Sequence, residues 1–437
     1  ITAYEVPAAS PVAIGDIDRA ADKRPEIVAN AAGGGIVAFK FNATANRFDL
    51  LWHSREANGA DSTWAGTLYR WTGPTIADVT GDGVPEVAMG TILHDATGLV
   101  IASNLGYRHL NGTGQIAVLA DVDSDGQAEM VTGDGVWRYA AGTGWVKETY
   151  FTATVSDGFV ALADFGAYAV AGLGTAGLPE VVVIAGGTAR IQTLSGQIVF
   201  GPFDIPFFAP ATDKGTGGAP TVGDFDGDGR PEFAMAGKGS YTIFDQDCNA
   251  VPTPYGCFAR GILWSQPTQD YSSSMSGSSV FDFEGDGKAE AVYSDECFVR
   301  VYSGNTGEVL FSQARTSGTW YEGPVVADVD GDFRSELIAG TNRNCGVSCP
   351  AMDPYFRGLR CTTDAECPTG AAGACKTGYC RCTADVQCGT NTGFTCADPI
   401  ANTPGTGKVC RTKHPGAQAG LFVFRDSGDN WVGSRPV

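Results

Sequence analysis

The sequence predicts an all-β protein built from seven copies of a four-stranded unit, with a small cysteine-rich subdomain set into the last copy. Three observations carry that expectation. Sixty glycines and only 18% charged residues suit many short strands joined by tight turns. One acidic loop pattern recurs along the chain between short apolar runs. Ten of the thirteen cysteines fall between Cys345 and Cys410, and no long amphipathic helical period is present.

The acidic pattern is clearest at Asp224-Phe-Asp226-Gly-Asp228-Gly229-Arg230-Pro-Glu232, with carboxylates at positions 1, 3, 5 and 9 and glycine at position 6. Six further stretches share it. The first is Asp16-Ile-Asp18, then Asp22 and Glu26, stretched by two residues. The second runs Asp78, Thr80, Asp82, Gly83, Glu86, and the third Asp121, Asp123, Asp125, Gly126, Glu129. The fourth is degenerate, with Asp164 and a small-residue insertion before Glu180. The sixth runs Asp282, Glu284, Asp286, Gly287, Glu290, and the seventh Asp328, Asp330, Asp332, Phe333, Glu336.

Successive first aspartates stand 62, 43, 43, 60, 58 and 46 residues apart. Forty-three residues hold four strands of five or six residues with their turns, the size of one propeller blade, and the longer intervals are blades with loop insertions. Gly-centred turns follow most loops, as in Ala96-Thr-Gly98-Leu99, Gly142-Thr-Gly144-Trp145, Leu194-Ser-Gly196-Gln197 and Asn305-Thr-Gly307-Glu308; they predict hairpins between the two outer strands. From Asp328 to the end there are 110 residues, and removing 345–411 leaves 43. The expected architecture is therefore a seven-bladed β-propeller formed by 1–344 and 412–437, with the insert at 345–411. Gly420–Phe424 and Asn430–Val432 are expected as the two outer strands of the last blade, and Pro11–Ile14 as an inner strand at the closure, which would remove free sheet edges.

The motif Asp-x-Asp-x-Asp-Gly-x-x-Glu, followed by a short apolar strand ending in glycine as in Glu86-Val-Ala-Met-Gly90, resembles the FG-GAP and VCBS-type repeats of integrin α-subunit propellers and of many secreted bacterial proteins. The resemblance spans roughly residues 10–344 and 412–437. A Gly-Ala-Pro tripeptide after that strand is absent, which sets the chain nearer the VCBS type. The resemblance implies Ca²⁺ bound in the loops and partners bound on the propeller faces.

The residue types point to the same ion. Hard carboxylate oxygens converging beside a sharp glycine turn suit Ca²⁺, while the alternative is an ion-free turn, which Asp and Gly also make. The expected ligands are the side chains at positions 1, 3, 5 and 9 and the carbonyl at position 7. They are Asp78, Thr80, Asp82, Val84 and Glu86; Asp121, Asp123, Asp125, Gln127 and Glu129; Asp224, Asp226, Asp228, Arg230 and Glu232; Asp282, Glu284, Asp286, Lys288 and Glu290; and Asp328, Asp330, Asp332, Arg334 and Glu336. That makes about five Ca²⁺ sites. Occupancy of the Asp16 loop stays open, and the Asp164 loop is expected to be metal-free. At the seventh loop Phe333 replaces glycine and is expected at positive φ. An EF-hand is excluded, because position 12 is Met89, Thr132, Met235, Tyr293 or Ala339 and helical flanks are missing.

The cysteines repeat as Cys361, Cys367, Cys375, Cys380 and Cys382, Cys388, Cys396, Cys410, each set opening Cys-Thr-x-Asp-x-x-Cys. Two small units, 361–380 and 382–410, with two disulfides each are expected, since neither has the apolar residues to fold unaided. Zinc would favour Cys-x-x-Cys pairs, which do not occur. Cys248 and Cys257 are expected to close a hairpin, and Cys297 to bridge to Cys345 or Cys349, leaving one thiol over.

A formal charge of −20 argues against nucleic acid; five bound Ca²⁺ would bring it to about −10. No apolar run is long enough to span a bilayer, and a chain opening at Ile1 with no signal peptide reads as a processed or excised form. Asp270-Tyr-Ser272-Ser-Ser274 spells an adhesion-type Asp-x-Ser-x-Ser but lies between blades, where it reads as coincidence. The four histidines, with no metal spacing, are assigned to surface or loop positions, and Trp52, Trp64, Trp71, Trp145, Trp264 and Trp320 to blade packing rather than sugar stacking. No nucleophile elbow or phosphate loop is present. The expectation is a non-enzymatic, extracellular or cell-surface binding or adhesion module, its calcium structural and its partner a protein or glycan. The alternatives are a self-associating appendage or sheath subunit, or a polysaccharide-active enzyme.

Overall fold

A computed structural model describes residues 11–63, 73–105, 118–173, 177–319, 322–343, 347–371, 373–426 and 431–433. It forms two compact units, Ile1–Pro202 and Phe203–Val437. The protein is all-β: among the described residues the only helices are three short 3₁₀ turns. Among the described residues no helix is long and apolar enough to cross a membrane.

From Val12 to Asp204 the chain forms four antiparallel sheets, each of four strands taken in chain order. They are Val12–Gly15, Glu26–Asn30, Ile36–Asn42 and Arg47–His53; Pro74–Ala77, Glu86–Met89, Ile92–His94 and Val100–Ala102; Val118–Ala120, Glu129–Thr132, Gly135–Ala140 and Gly144–Lys147; and Phe159–Ala163, Glu180–Ala185, Thr188–Gln192 and Ile198–Asp204. The second unit continues with Thr221–Gly223, Glu232–Gly237, Ser240–Phe244 and Ile262–Pro267, then Ser278–Phe281, Glu290–Ser294, Phe298–Tyr302 and Val309–Ala314. Its third sheet has three strands, Val325–Ala327, Glu336–Thr341 and Gly420–Phe424.

The second strands read as unbroken apolar runs after their glutamate, as in Glu180–Ala185 and Glu232–Gly237, and every residue of these two is buried. Such a run needs cover on both faces, which neighbouring sheets supply. Val28, Ile36 and Ala38 of the first sheet pack with Val87 and Met89 of the second. Ala234, Tyr241 and Ile243 of the fifth pack with Ala291, Tyr293 and Tyr302 of the sixth. Each acidic loop joins the first strand of its sheet to the second, with pairs such as Ala120↔Glu129 closing it.

The Gly-centred turns join third to fourth strands and lock one sheet to the next. A Cβ on Gly98 would lie 2.6 Å from the Trp52 ring, and one on Gly307 2.7 Å from Trp264. Each indole also donates to a backbone carbonyl nearby, Trp52 to Ala96 and Trp264 to Gly304. Trp145 and Trp264 are buried and Trp52 is partly so, whereas Trp64, Trp71 and Trp320 lie outside the described residues.

Val12–Gly15 forms the first strand of the first sheet, paired through Val12↔Ala29. One strand expectation is corrected. Trp431 and Val432 form no outer strand. Trp431 instead packs on Phe283 and Phe311, and Val432 donates its amide to the Phe283 carbonyl. Asn430 lies outside the described residues.

The cysteine-dense stretch forms its own sheet of Cys375–Lys376, Tyr379–Cys382, Lys408–Thr412 and Phe394–Ala397. Its disulfides are Cys361–Cys375, Cys367–Cys380, Cys382–Cys396 and Cys388–Cys410, two within each repeat. Asp364 accepts the Cys375 amide and Asp385 the Cys396 amide, so the duplication extends to the turns. Cys248 bonds Cys257, and Cys297 bonds Cys349; Cys345 lies outside the described residues.

Candidate metal centres

The third loop shows how the pattern folds. Asp121 accepts the amides of Asp125 and Gly126, and Asp125 accepts that of Gln127. Positions 5 and 7 recur as this pair in the second, fifth, sixth and seventh loops, at 2.7–2.9 Å. Position 6 sits at positive φ throughout: Gly83 85°, Gly126 92°, Gly229 87°, Gly287 86° and, as expected, Phe333 65°. Position 4 does so as well, at Gly81, Ser124, Gly227, Gly285 and Gly331. That second left-handed residue was legible as a run of small residues at position 4, and the sequence reading overlooked it.

The glutamate is the latch. In all seven loops, the degenerate fourth included, one carboxylate oxygen accepts the position-2 amide at 2.8–3.0 Å. The position-2 side chain is buried in six of the seven (Ile17, Val79, Val122, Phe165, Phe225 and Phe283) and half-exposed only at Val329. Position 2 was the other residue that sequence reasoning missed; its signal is an invariably apolar residue directly after the first aspartate.

The second glutamate oxygen faces the loop. Glu129 is fully buried, and its Oε1 has no hydrogen-bond partner; neither has Oδ1 of Asp123. Asp121, Asp123 and Glu129 bring oxygens within 4.8 Å of one another, as do Asp224, Asp226 and Glu232, and Asp16, Asp18 and Glu26. The structure thus gathers positions 1, 3 and 9, while position 5 turns to cap the position-7 amide.

Crowding like charges in a buried corner raises their proton affinity. Burial, and then the loop aspartates, push Glu129 up to about 8 and Glu232 to about 9. Glu290 rises to about 9, with burial first and Glu284 beside it second. Asp123 and Asp226 are raised for the same reasons. Orphaned buried carboxylate oxygens that repel one another fit a hard dication, which would give them the missing partner.

The loops differ in what stands near. Thr80 replaces the position-3 acid of the second loop, its hydroxyl 3.4 Å from Glu86. In the fourth, Asp164 accepts the Gly166 amide and Glu180, pushed up to about 7 chiefly by burial, holds Phe165. In the seventh, the Arg425 guanidinium lies 3.7 Å from Asp330 and 3.9 Å from Asp332. In the first, Lys40 lies 2.5 Å from Asp18.

Away from the loops, Asp270 is buried and accepts from Tyr293, Thr319 and the Ser274 amide. The Asp-x-Ser-x-Ser aspartate is therefore a structural acceptor between two sheets. Two histidine assignments are corrected. His53 ends the strand Arg47–His53 with its side chain 7% exposed and Nε2 2.8 Å from the Gly34 carbonyl. His94 is fully buried in a strand, its Nδ1 3.1 Å from the Val87 carbonyl, and burial pushes it down to about 4. His94 stands between Leu93 and Asp95, at the edge of an apolar run, so its neighbours alone do not tell a buried histidine from a surface one. His109 lies outside the described residues.

No family model matches the chain, and no curated protein matches it. Solved structures similar to it include the V. cholerae biofilm matrix protein Bap1, 17% identical over 80% of this chain and 70% of that one, with a TM-score of 0.37. The exotype rhamnogalacturonan lyase YesX is 16% identical over 76% of this chain, TM-score 0.32; this chain spans 44% of its length. An Agrocybe aegerita lectin that recognises non-reducing terminal N-acetylglucosamine is 15% identical over 71% of this chain and 83% of its own, TM-score 0.35. Likeness at this level assigns no activity.

Proposed function

We propose that the chain is a calcium-stabilised seven-bladed β-propeller with repeats of the FG-GAP/VCBS type, acting outside the cell or on its surface as a binding module for a protein or glycan. The observation that carries the calcium reading is the latch glutamate: buried in every loop, one oxygen on the position-2 amide and, in the third loop, the other oxygen without a partner. The residues that would hold the ion are those of positions 1, 3 and 9, with positions 5 and 7 at the rim. Ca²⁺ would cross-link the loop acids, which are already committed to backbone amides, so its role is structural.

Six disulfides suit an oxidising compartment, where calcium is abundant enough for modest sites to fill. Binding rather than turnover is the reading because the loop carboxylates, the strongest concentration of reactive groups, are tied up in holding the fold. Equilibrium dialysis against Ca²⁺ tests the first half: about five ions per chain support it, and none refutes it. A glycan and protein array run with calcium and again with chelator tests the second. A ligand retained only with calcium supports the module, and an empty array beside product release from acidic polysaccharides would replace it with the enzyme.

A further inference from the structure

We propose that Lys40 is a built-in cation: its ammonium occupies the first loop in place of a divalent ion, and removing it turns the same acids into a calcium site. The inference rests on the calcium reading of the other loops only for the identity of the ion.

The first loop has the same frame as the rest. Glu26 is fully buried and accepts the amides of Ile17 and Asp18 with Oε2, while Oε1 has no hydrogen-bond partner. Asp16 accepts the Arg19 amide and Asp18 that of Ala20. Asp16, Asp18 and Glu26 converge as their counterparts do in the third and fifth loops. What differs is the residue across the ladder. The pair Ile27↔Phe39 places Lys40 one step on, opposite Glu26. From there Nζ reaches Asp18 Oδ2 at 2.5 Å, Asp22 Oδ1 at 3.7 Å and Glu26 Oε1 at 4.0 Å. The two-residue stretch of this loop brings Asp22 round to the same ammonium.

In the third and fifth loops the same ladder step puts no cation in the corner, whereas in the seventh it places Arg425 opposite Glu336, its guanidinium 3.7 Å from Asp330 and 3.9 Å from Asp332. Opposite Glu129 it places Arg138, which turns away to Glu148 at 3.0 Å. Opposite Glu232 it places Asp245, another acid. Among the described residues no lysine or arginine comes within salt-bridge distance of Asp121, Asp123, Glu129, Asp224, Asp226 or Glu232. A covalently tethered ammonium is present at any calcium concentration and offers three donors, enough for three of the loop's carboxylates. A dication in the same corner would meet the charge of Lys40 and need its space, so the two are mutually exclusive. The first sheet is then held independently of calcium, while the third and fifth depend on it.

The test is the number of Ca²⁺ bound to the intact, disulfide-bonded chain by equilibrium dialysis. Lys40→Met should bind one ion more than wild type, and Lys40→Met combined with Asp18→Asn should lose the extra ion. Hydrogen exchange on wild type gives a readout without substitution: amides around Ile17 should be indifferent to chelation while those around Val122 exchange faster. An unchanged ion count in Lys40→Met, or chelator-sensitive exchange around Ile17, overturns the proposal. If wild type binds no calcium and Lys40→Met binds one ion, the inference stands and the wider calcium reading falls; if neither binds, both fall. Should Lys40→Met fail to fold, the exchange experiment decides alone.

Discussion

At the ninth position of each loop, a glutamate holds an amide with one oxygen and presents the other to the acids around it. Glu129→Gln keeps an acceptor for Val122 and removes the charge. It is expected to lower the calcium count by one and to lower Tm in calcium but not in chelator, as read by paired thermal melts. Phe333 is the opposite kind of residue, exposed and held at φ 65° where the other loops have glycine. Phe333→Gly should gain about 0.5–1 kcal/mol, because relief of the left-handed penalty exceeds the glycine's extra chain entropy; urea titration measures it. Asp270 supplies the pH test. Burial pushes its carboxyl up to about 7, against the pull of the Tyr293 hydrogen bond, while an unfolded chain has it at about 3.9. The folded state holds that proton more tightly, so the contribution is full below about 4 and is lost as the pH rises through about 7. Asp270→Asn should flatten Tm against pH across that window and raise it at pH 8.

Between elements, the strongest polar tie joins the sixth sheet to the cysteine-rich stretch. Arg300, on Phe298–Tyr302, is fully buried and bonds Asp353 through Nε at 2.7 Å and Nη2 at 3.0 Å, with Asp295 and Gln269 on its remaining donors. Ser312 and the Tyr355 amide complete Asp353. The Cys297–Cys349 disulfide spans the same junction. Arg300→Met would leave two buried carboxylates without their cation, at a cost of about 3–5 kcal/mol. The expected signature is a lower urea midpoint together with faster proteolysis near Asp353. An unchanged midpoint would mean that the disulfide and the apolar seat of Phe356 hold the stretch without the ion pair.

For the molecule as a whole, acids outnumber bases by twenty, and at least three loops confine carboxylates to a shared corner. An ion that binds only the folded chain adds about 2.7 kcal/mol for each site at a hundredfold excess over its Kd. Several such sites should make chelation lower Tm by ten degrees or more, by roughly the conversion for a chain of this size. Salt should restore part of the loss by screening the remaining repulsion. An unchanged melt with no metal by elemental analysis would leave the loops as ion-free Asp-Gly turns.

The sequence by itself determined whatever depends on neighbours in the chain. Acids two residues apart, small residues at positive φ, and strands bounded by glycine turns follow from local sterics and hydrogen bonding, so the sheets and loops were legible. The same holds for the two four-cysteine units, whose bridges close short loops. Only the tertiary structure decided what pairs across distance. Lys40 reaches Asp18 from 22 positions away, Arg300 finds Asp353 from 53, and Cys297 joins Cys349 from 52. Strand pairing and sheet packing bring these groups together, and neither leaves a mark on the residues between. One ladder step therefore separates the first loop, which carries its own cation, from the third and fifth, which lack one.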